Sequence, residues 1–326
     1  MHARPFAILL GAWLAAAAAA QQPVPRRCGV FLWHESPNDL ATLAGIRAGL
    51  QQAGVAVAFV EQHAAADAAR ATAALTALRE ARCDLVFALG TQAALLAKEH
   101  LRSVPIVFAA VSDAVASGVV ADWNGSGTNL CGASNRIGPA AVLDAFRLAV
   151  PQLGRLGVIR SRTSGVVSGA EVATMRGHLA QEGAPAVALV ESVAVDTNDV
   201  ERAVRALVAS GVEAIWIPID LTVYRDLGAV RRGLGPARLP LLTTAATGPA
   251  DGAHVGVTVD YGVHGRRAAA LAVRVLQGAA PGSLPIDRMQ GTLVKVNLGA
   301  ARRDGIELPL SILAVADELL DDEVGR

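Results

Sequence analysis

Polar residues follow the apolar, strand-like runs of this sequence at the points where each run ends. In the first half they are residues 33–36 (WHES), 90–92 (GTQ) and 112–113 (SD). In the second half they are residues 160–163 (RSRT), Asp220 and residues 243–244 (TT). In open α/β sheets a ligand binds beyond the carboxyl ends of the strands. These polar groups are therefore the candidates for binding a small molecule.

Thr91 is the clearest candidate of the first half. A Gly-Thr pair between a strand and a helix places a hydroxyl and free backbone N–H groups at the positive end of the helix, which suits a carboxylate. An ordinary helix N-cap is the alternative interpretation. His34, next to Trp33, could supply a stacking wall for a ligand. A core position for this pair is equally compatible with the pattern.

Two charged residues are the main candidates of the second half. Asp220 could accept a hydrogen bond from a ligand ammonium group, and Arg160 could pair with a ligand carboxylate. A helix-capping aspartate and a solvent-facing arginine are the alternative interpretations of the same residues.

The sequence lacks the common catalytic motifs. It has no Gly-x-Ser-x-Gly, no phosphate-binding loop ending in Lys-Ser/Thr and no His-Glu-x-x-His. The seven histidines are dispersed, and Cys28, Cys83 and Cys131 lack metal-ligand spacing. We therefore expect no enzymatic activity, no cofactor and no metal. Buried thiols and one disulfide both remain open for the cysteines.

Strand-like and helical runs alternate along the chain, as in sheets covered by helices on both faces. The predicted strands lie at 29–33, 55–60, 85–89, 106–111, 156–159, 187–190, 214–217 and 239–243. The predicted helices lie at 39–53, 66–82, 91–101, 139–149, 165–182, 198–210, 221–234 and 264–277, and Asn198 with Glu201 has the spacing of a capping box. A Gly-, Ser- and Asn-rich stretch at 124–135 separates the two series.

This order predicts an α/β fold of two Rossmann-like, doubly wound lobes joined by a hinge with several crossings. Residues 84–91 align without gaps on residues 213–220, which favours two similar lobes, although two unrelated doubly wound domains could give the same similarity. The predicted division is a signal peptide at 1–20, lobe one at 27–132 plus about 254–280, lobe two at 133–253 plus about 281–318, and a tail at 319–326.

The N-terminus has the pattern of a cleavable signal peptide. His2 and Arg4 precede an apolar run at 6–20 that ends in small alanines. The run is short for a membrane span, which needs about 20 apolar residues; a retained anchor is the alternative. The 29 basic and 29 acidic residues balance, so no nucleic-acid partner is expected. We predict a periplasmic protein.

Five segments form one collinear set of motifs. They are residues 84–94 (DLVFALGTQAA), 105–113 (PIVFAAVSD), 132–134 (GAS), 217–220 (IPID) and 297–309. With these motifs the sequence resembles the ABC-transporter substrate-binding protein family that includes tryptophan- and tyrosine-binding members. The resemblance covers nearly all of the mature chain, and residues 105–113 are its most specific part.

The resemblance implies a type I periplasmic-binding fold with three hinge crossings, a ligand in the cleft between the lobes and no catalysis. Segments that line the cleft in the family match this chain at Thr91, Gln92, Ser112, Asp113, Ser134 and Asp220. It further implies a small-molecule ligand, an amino acid or another small carboxylate, and a membrane permease as partner. We expect a monomer. A ligand-sensing subunit for a membrane signalling protein is the alternative function.

Three positions depart from the family pattern. Asp113-Ala114 stands where the family has Asp-Pro, Ser134-Asn135 where it has Ser-Asp, and Arg160-Ser161 where it has Tyr-Asn. Because Asn135 and Arg160 replace acidic or neutral groups, we expect them at the ligand and hypothesise a more anionic ligand than an aromatic amino acid.

Overall fold

The computed structural model describes residues 24–163, 165–289 and 291–321. The predicted signal peptide and the last five residues of the predicted tail lie outside the described residues.

The described chain alternates strands and helices throughout. The strands are β1 (Arg26–Leu32), β2 (Val57–His63), β3 (Leu85–Leu89), β4 (Ile106–Val111), β5 (Leu130–Ser134), β6 (Arg155–Ser161), β7 (Ala188–Ala194), β8 (Ala214–Ile217), β9 (Leu241–Thr243), β10 (Val255–Thr258), β11 (Asp287–Arg288), β12 (Leu293–Asn297) and β13 (Glu318–Leu320). The α-helices are α1 (Pro37–Gln52), α2 (Ala68–Glu80), α3 (Thr91–His100), α4 (Pro139–Ala149), α5 (Gly165–Leu179), α6 (Val200–Ala209), α7 (Leu221–Tyr224), α8 (Leu227–Leu234), α9 (Gly248–Asp251), α10 (Tyr261–Leu276), α11 (Leu298–Asp304) and α12 (Leu310–Leu313).

The strands form two sheets with the same internal order. The first sheet runs β2-β1-β3-β4-β5-β11, with every pairing parallel. The second runs β7-β6-β8-β9-β10-β12-β13 and is parallel except between β10 and β12. Both begin with the order 2-1-3-4-5 of a doubly wound fold. The predicted α/β architecture with two such lobes is therefore confirmed.

Each sheet is buried on both faces, which explains its continuous apolar strands. In the first lobe, α2 and α3 pack on one face and α1 and α10 on the other. In the second lobe, α4, α5 and α12 cover one face and α6 and α8 the other.

The chain passes between the sheets three times, after β5, after β10 and after β11. The sheets differ from the predicted division at all three crossings. At the first, β5 continues in the first sheet to Ser134, two residues beyond the predicted end of lobe one at 132. Residues 255–258 form a buried strand of the second sheet, because they pair with β9 and β12. Residues 287–288 pair with β5 in the first sheet, and residues 318–320 pair with β12 instead of starting a free tail.

Local details also differ from the prediction. β5 lies inside the Gly-, Ser- and Asn-rich stretch at 124–135, where no strand was predicted. The predicted helix at 221–234 is two helices, because Asp226 caps a new one through the N–H of Ala229. The capping box at Asn198 is wrong: Asp196 accepts from the N–H of Asn198, and α6 begins only at Val200.

Helices α1 and α10 lie against each other through small residues. A Cβ added at Gly49 would lie 2.7 Å from the Cβ of Ala269, and one added at Gly45 or Gly265 would lie closer still to backbone atoms of the facing helix. We call Gly45, Gly49, Gly262 and Gly265 the glycine seam. It lets the two backbones touch, so that α10 packs as part of the first lobe.

Across the described residues, the helices are too short or too polar for any of them to span a bilayer.

Candidate functional site

A cavity of about 850 Å³, including space open to solvent, lies between the two sheets. The first lobe and the crossings contribute Thr91, Ser112, Asp113, Ala116, Ser117, Asn135, Arg136, Ile137, Val259 and Tyr261. The second lobe contributes Pro139, Val142, Val167, Ala170, Glu171, Thr174, Met175, Trp216, Ile219, Thr244 and Thr258.

The wall from the first lobe is polar and fixed by hydrogen bonds. Asp113 accepts from the N–H groups of Val115 (3.2 Å) and Ala116 (2.9 Å), and its other carboxylate oxygen lies 3.2 Å from Nη1 of Arg136. Thr91 opens α3 after Gly90, and no described side chain caps the first turn of that helix. Free backbone donors and a hydroxyl therefore stand at a positive helix end.

Asn135, on the first crossing, carries a free acceptor. Its Nδ2 donates to the hydroxyl of Tyr261 at 3.1 Å, whereas Oδ1 is buried and has no partner among the described residues. Buried amide oxygens are normally hydrogen-bonded. A ligand N–H or O–H group would complete the bonding of this side chain.

The buried ring of His264 packs against the ring of Tyr261. The N–H of Ala110 donates to its Nε2 at 3.0 Å, and the two rings pack edge to face. Burial lowers the pKa of His264 to about 4, so the ring is neutral near pH 7 and carries its proton on Nδ1. Within the described residues Nδ1 has no partner.

One face of α5 forms the wall from the second lobe. Val167, Ala170, Glu171, Thr174 and Met175 recur at spacings of three and four residues, so that they share a face. Trp216 closes this end and packs edge-on against Phe146, with ring centroids 6.1 Å apart. This wall is apolar except around Glu171.

Glu171 is held by two hydrogen bonds to the same oxygen. The N–H of Ile219 (2.9 Å) and the hydroxyl of Thr244 (3.1 Å) donate to its Oε2. Trp216 Nε1 lies 3.4 Å from the same hydroxyl. Removal from water raises the pKa of the Glu171 carboxyl to about 7, although the two hydrogen bonds oppose this rise.

The charged groups of the cavity are unevenly paired. The described lining residues include one basic side chain, Arg136, and two acidic ones, Asp113 and Glu171. Arg136 is paired with Asp113. The cavity therefore favours a ligand with a positive group or hydrogen-bond donors over one that is only anionic.

Five of the residues singled out in the sequence line this cavity: Thr91, Ser112, Asp113, Asn135 and Thr244. Ser134 lies just behind it, fully buried, and donates to the carbonyl of Ser112 at 3.0 Å. Gln92 faces a separate surface depression, and His34 does not line the cavity.

Arg160 and Asp220 face other groups. Arg160 hydrogen-bonds Glu191, outside the cavity lining. Asp220 is fully buried and accepts from the N–H groups of Ser161 (2.6 Å), Thr222 (3.1 Å) and Val223 (3.2 Å), and from the hydroxyls of Ser161 and Ser168. Asp220 therefore matches the alternative interpretation of a helix-capping aspartate. Arg160 is partly buried and ion-paired, which matches neither a ligand contact nor a solvent-facing arginine.

Sequence reasoning missed Glu171, Trp216, Tyr261 and Arg136 as lining residues. Glu171 had a signal, because it interrupts an apolar helix face between Val167 and Met175. Arg136 lies on a crossing, where neither strand nor helix periodicity applies. Tyr261 is the first residue of α10 and precedes the helix predicted at 264–277.

No group of three or more His, Cys, Asp or Glu side chains within the described ranges could hold a metal ion. The three cysteines are free and buried, which settles the alternative left open above in favour of thiols.

The chain was compared with known proteins. The family model for ABC transporter substrate binding proteins matches residues 28–320. A tyrosine-binding protein from Clostridioides difficile (strain R20291) is 25% identical over 214 residues, which are 66% of this chain and 61% of that protein. The match therefore spans less than two thirds of the relative's length.

Solved structures share the fold. A domain from Streptococcus pneumoniae in complex with L-Trp is 23% identical, with a TM-score of 0.75, over 90% of this chain and all of the other. A ligand-free, open substrate-binding protein with adhesive properties from Clostridium difficile is 23% identical, with a TM-score of 0.77, over 91% of this chain and all of the other. At these identities the likeness shows the fold alone. Because the family model matches most of the chain, this protein belongs to the ABC transporter substrate-binding protein family.

Proposed function

We propose that this protein is the extracytoplasmic, non-catalytic solute-binding component of an ABC importer and that it binds an amino acid between its lobes. The observation that carries the proposal is the cavity lined from both sheets, with a polar wall on one side and an apolar wall on the other. Contacts from both lobes are complete only when the lobes close, so ligand binding shifts the molecule toward a closed state.

Family membership supports the binding role, and two relatives favour the ligand class. One is named a tyrosine-binding protein, and another was solved with L-Trp. The apolar wall with Met175 and Trp216 suits an aliphatic or aromatic side chain. Thr91, Ser112, Asp113 and Asn135 are the proposed first-lobe contacts, and the first turn of α3 is the proposed site for the ligand carboxylate.

The hypothesis of a more anionic ligand is withdrawn. It rested on Asn135 and Arg160 at the ligand. Asn135 lines the cavity, but Arg160, which would have supplied the positive charge, pairs with Glu191 outside it. The remaining cavity arginine, Arg136, is already paired with Asp113. A zwitterionic amino acid fits this charge pattern better than a dicarboxylate.

The proposal also covers the location of the protein and its partner. The pattern of residues 1–20 supports secretion to the periplasm with loss of this segment. The mature protein would be a monomer that delivers its ligand to a membrane permease.

A ligand screen tests the function. Purified protein starting at Gln21 is mixed with L-amino acids, dicarboxylates, sugars and nucleosides, and its melting temperature is measured. We expect an L-amino acid to stabilise the fold by roughly 4 kcal/mol at a thousandfold excess over Kd, and chromatography to recover the ligand unchanged. A response to sugars or nucleosides alone, or chemical conversion of the ligand, would contradict the proposal.

A cellular experiment tests the importer role. Deleting the gene should abolish uptake of the radiolabelled amino acid identified in the screen. Normal uptake combined with loss of a transcriptional response to the same amino acid would favour a sensing subunit.

A further inference from the structure

Glu171 is a half-buried acid of the cavity wall without a basic partner. Its Oε2 accepts two hydrogen bonds, from Ile219 and Thr244, and both donors are neutral. Within the described residues no arginine, lysine or histidine forms an ion pair with it, and no donor reaches Oε1. The other acid of the cavity, Asp113, has Arg136. The carboxyl group of Asp113 is therefore paired with a positive charge, whereas that of Glu171 has only neutral hydrogen-bond donors.

An ionised carboxylate in such a place is costly unless a cation pairs with it. The raised pKa of Glu171 results from this cost, because removal from water disfavours the ionised form. Protonation removes the charge in the empty protein. A ligand ammonium group would compensate the charge directly, because it would bring the missing cation and a donor for Oε1.

The other titratable groups around Glu171 do not supply that cation. Tyr224 and Tyr261 lie close enough for Glu171 to raise their pKa values further, with burial as the main cause, and both stay neutral. Asp220, Asp251 and Asp39 act on the same two tyrosines and add negative charge. Arg136, the basic residue of the described lining, is held by Asp113.

We propose that the carboxylate of Glu171 binds the amine of the ligand and makes this protein selective for amine-bearing solutes. This inference rests on the proposed function and adds the residue that selects the solute. Asn135 Oδ1, the second free acceptor of the cavity, is available for another donor of the same ligand. Glu171 belongs to α5 and Asn135 to the first crossing, so the selection involves both sides of the cavity.

Matched ligands and a matched variant test the inference. Titration calorimetry is run with L-tyrosine and L-tryptophan and with their deaminated analogues, 3-(4-hydroxyphenyl)propionate and 3-indolepropionate. The wild type should bind each amino acid at least about 30-fold more tightly than its analogue, as expected when one partner of a buried charged pair is removed. In Glu171→Gln the amino acids should weaken by a similar factor and the analogues should bind as before.

The variant is expected to fold. The amide oxygen that Glu171→Gln introduces can accept the same two hydrogen bonds, and the substitution removes a buried charge. Its melting temperature at pH 8 should equal or exceed that of the wild type. Glu191→Gln is the control, because Glu191 pairs with Arg160 and Arg176 outside the cavity; this change should leave both affinities unaltered.

The pH dependence provides a second readout. A carboxylate–ammonium pair requires ionised Glu171, so the affinity of the wild type for L-tyrosine should fall about tenfold for each pH unit below 7. Glu171→Gln should lose this dependence. The pKa of His264, about 4, lies below the range from pH 5.5 to 8.

Three outcomes would overturn the inference. Equal affinities of Glu171→Gln and wild type for an amino acid would overturn it and leave the proposed function standing. Affinity that increases on acidification would mean that protonated Glu171 donates to the ligand, and would also overturn it. If the wild type binds no member of the panel by either method, both the proposed function and the inference fail.

Discussion

Asp220 shows how one carboxylate can join three elements at the residue scale. It accepts from the N–H of Ser161 at the end of β6, from Ser168 on α5, and from the N–H groups of Thr222 and Val223 at the start of α7. These donors already occupy both oxygens. Its position after a strand is that of a ligand-binding residue, and its contacts are those of a structural one.

Asp220→Asn should therefore destabilise the fold and spare binding. An amide offers one acceptor oxygen where the carboxylate offers two, and buried N–H donors lose their partners. We expect the free energy of unfolding to fall by about 3 kcal/mol, measured by urea denaturation. Asp196→Asn, which alters an exposed cap, should cost about 1 kcal/mol or less. Loss of ligand binding at unchanged stability would instead place Asp220 at the ligand.

At the element scale, the two lobes repeat one device. An acid precedes the third strand of each sheet and accepts from backbone N–H groups at the start of the first strand. Asp84 accepts from Arg27 (2.7 Å), and Glu213 accepts from Gly154 (2.5 Å) and Arg155 (2.9 Å). The alignment of residues 84–91 on residues 213–220 therefore matched structurally equivalent strands.

The glycine seam gives the prediction at this scale. In Gly45→Ala the added methyl group would meet the backbone of Gly262, so α1 and α10 must separate. We expect the free energy of unfolding to fall by about 1 to 3 kcal/mol. Gly177→Ala on the open face of α5 meets no atom within 4 Å and should raise it by up to about 1 kcal/mol. Equal effects of the two changes in denaturant titrations would contradict close packing at the seam.

Elements with strong periodicity could be predicted from the sequence, and others could not. β3, β4, β8 and α4 were predicted with the bounds that the structure has. β5 was not, because its Gly132 and Ser134 are typical of loops; Gly132 is required there by the close approach of Phe108. The segment is a strand because it pairs with β4. Such pairing depends on tertiary packing, which the local sequence pattern does not encode.

At the scale of the whole molecule, the three cysteines report on unfolding of one lobe. Cys28, Cys83 and Cys131 are buried in the first lobe, and burial raises the pKa of Cys28 and Cys131 to about 12. Ellman's reagent should modify fewer than one thiol per native chain within minutes and all three in 6 M guanidinium, about the concentration that unfolds most domains. Reductant should leave the melting temperature unchanged. Rapid modification of the native protein would contradict the burial.

The candidate site was only partly predictable, for a reason that belongs to the same scale. Thr91, Ser112 and Asp113 follow strands of one sheet, and the rule for carboxyl ends locates them within that sheet. Glu171 reaches the cavity from a helix of the other lobe. Its place depends on how the lobes face each other, which the three crossings determine and which no local pattern encodes.

The glycine seam also determines which parts of the cavity travel together. Because the backbones of α10 and α1 are in close contact, Tyr261 is fixed to the first lobe. The hydrogen bond from Asn135 to Tyr261 fixes the Asn135 amide to the same lobe. If the lobes rotate, we expect the backbone of the three crossings to change, including residues 259–260 between β10 and α10. Rotation of the second lobe relative to the first would then change the distance between Glu171 and Asn135. A solute bound to both Glu171 and Asn135 would fix the distance between these groups. The length of the solute would therefore determine the angle between the lobes in the closed state.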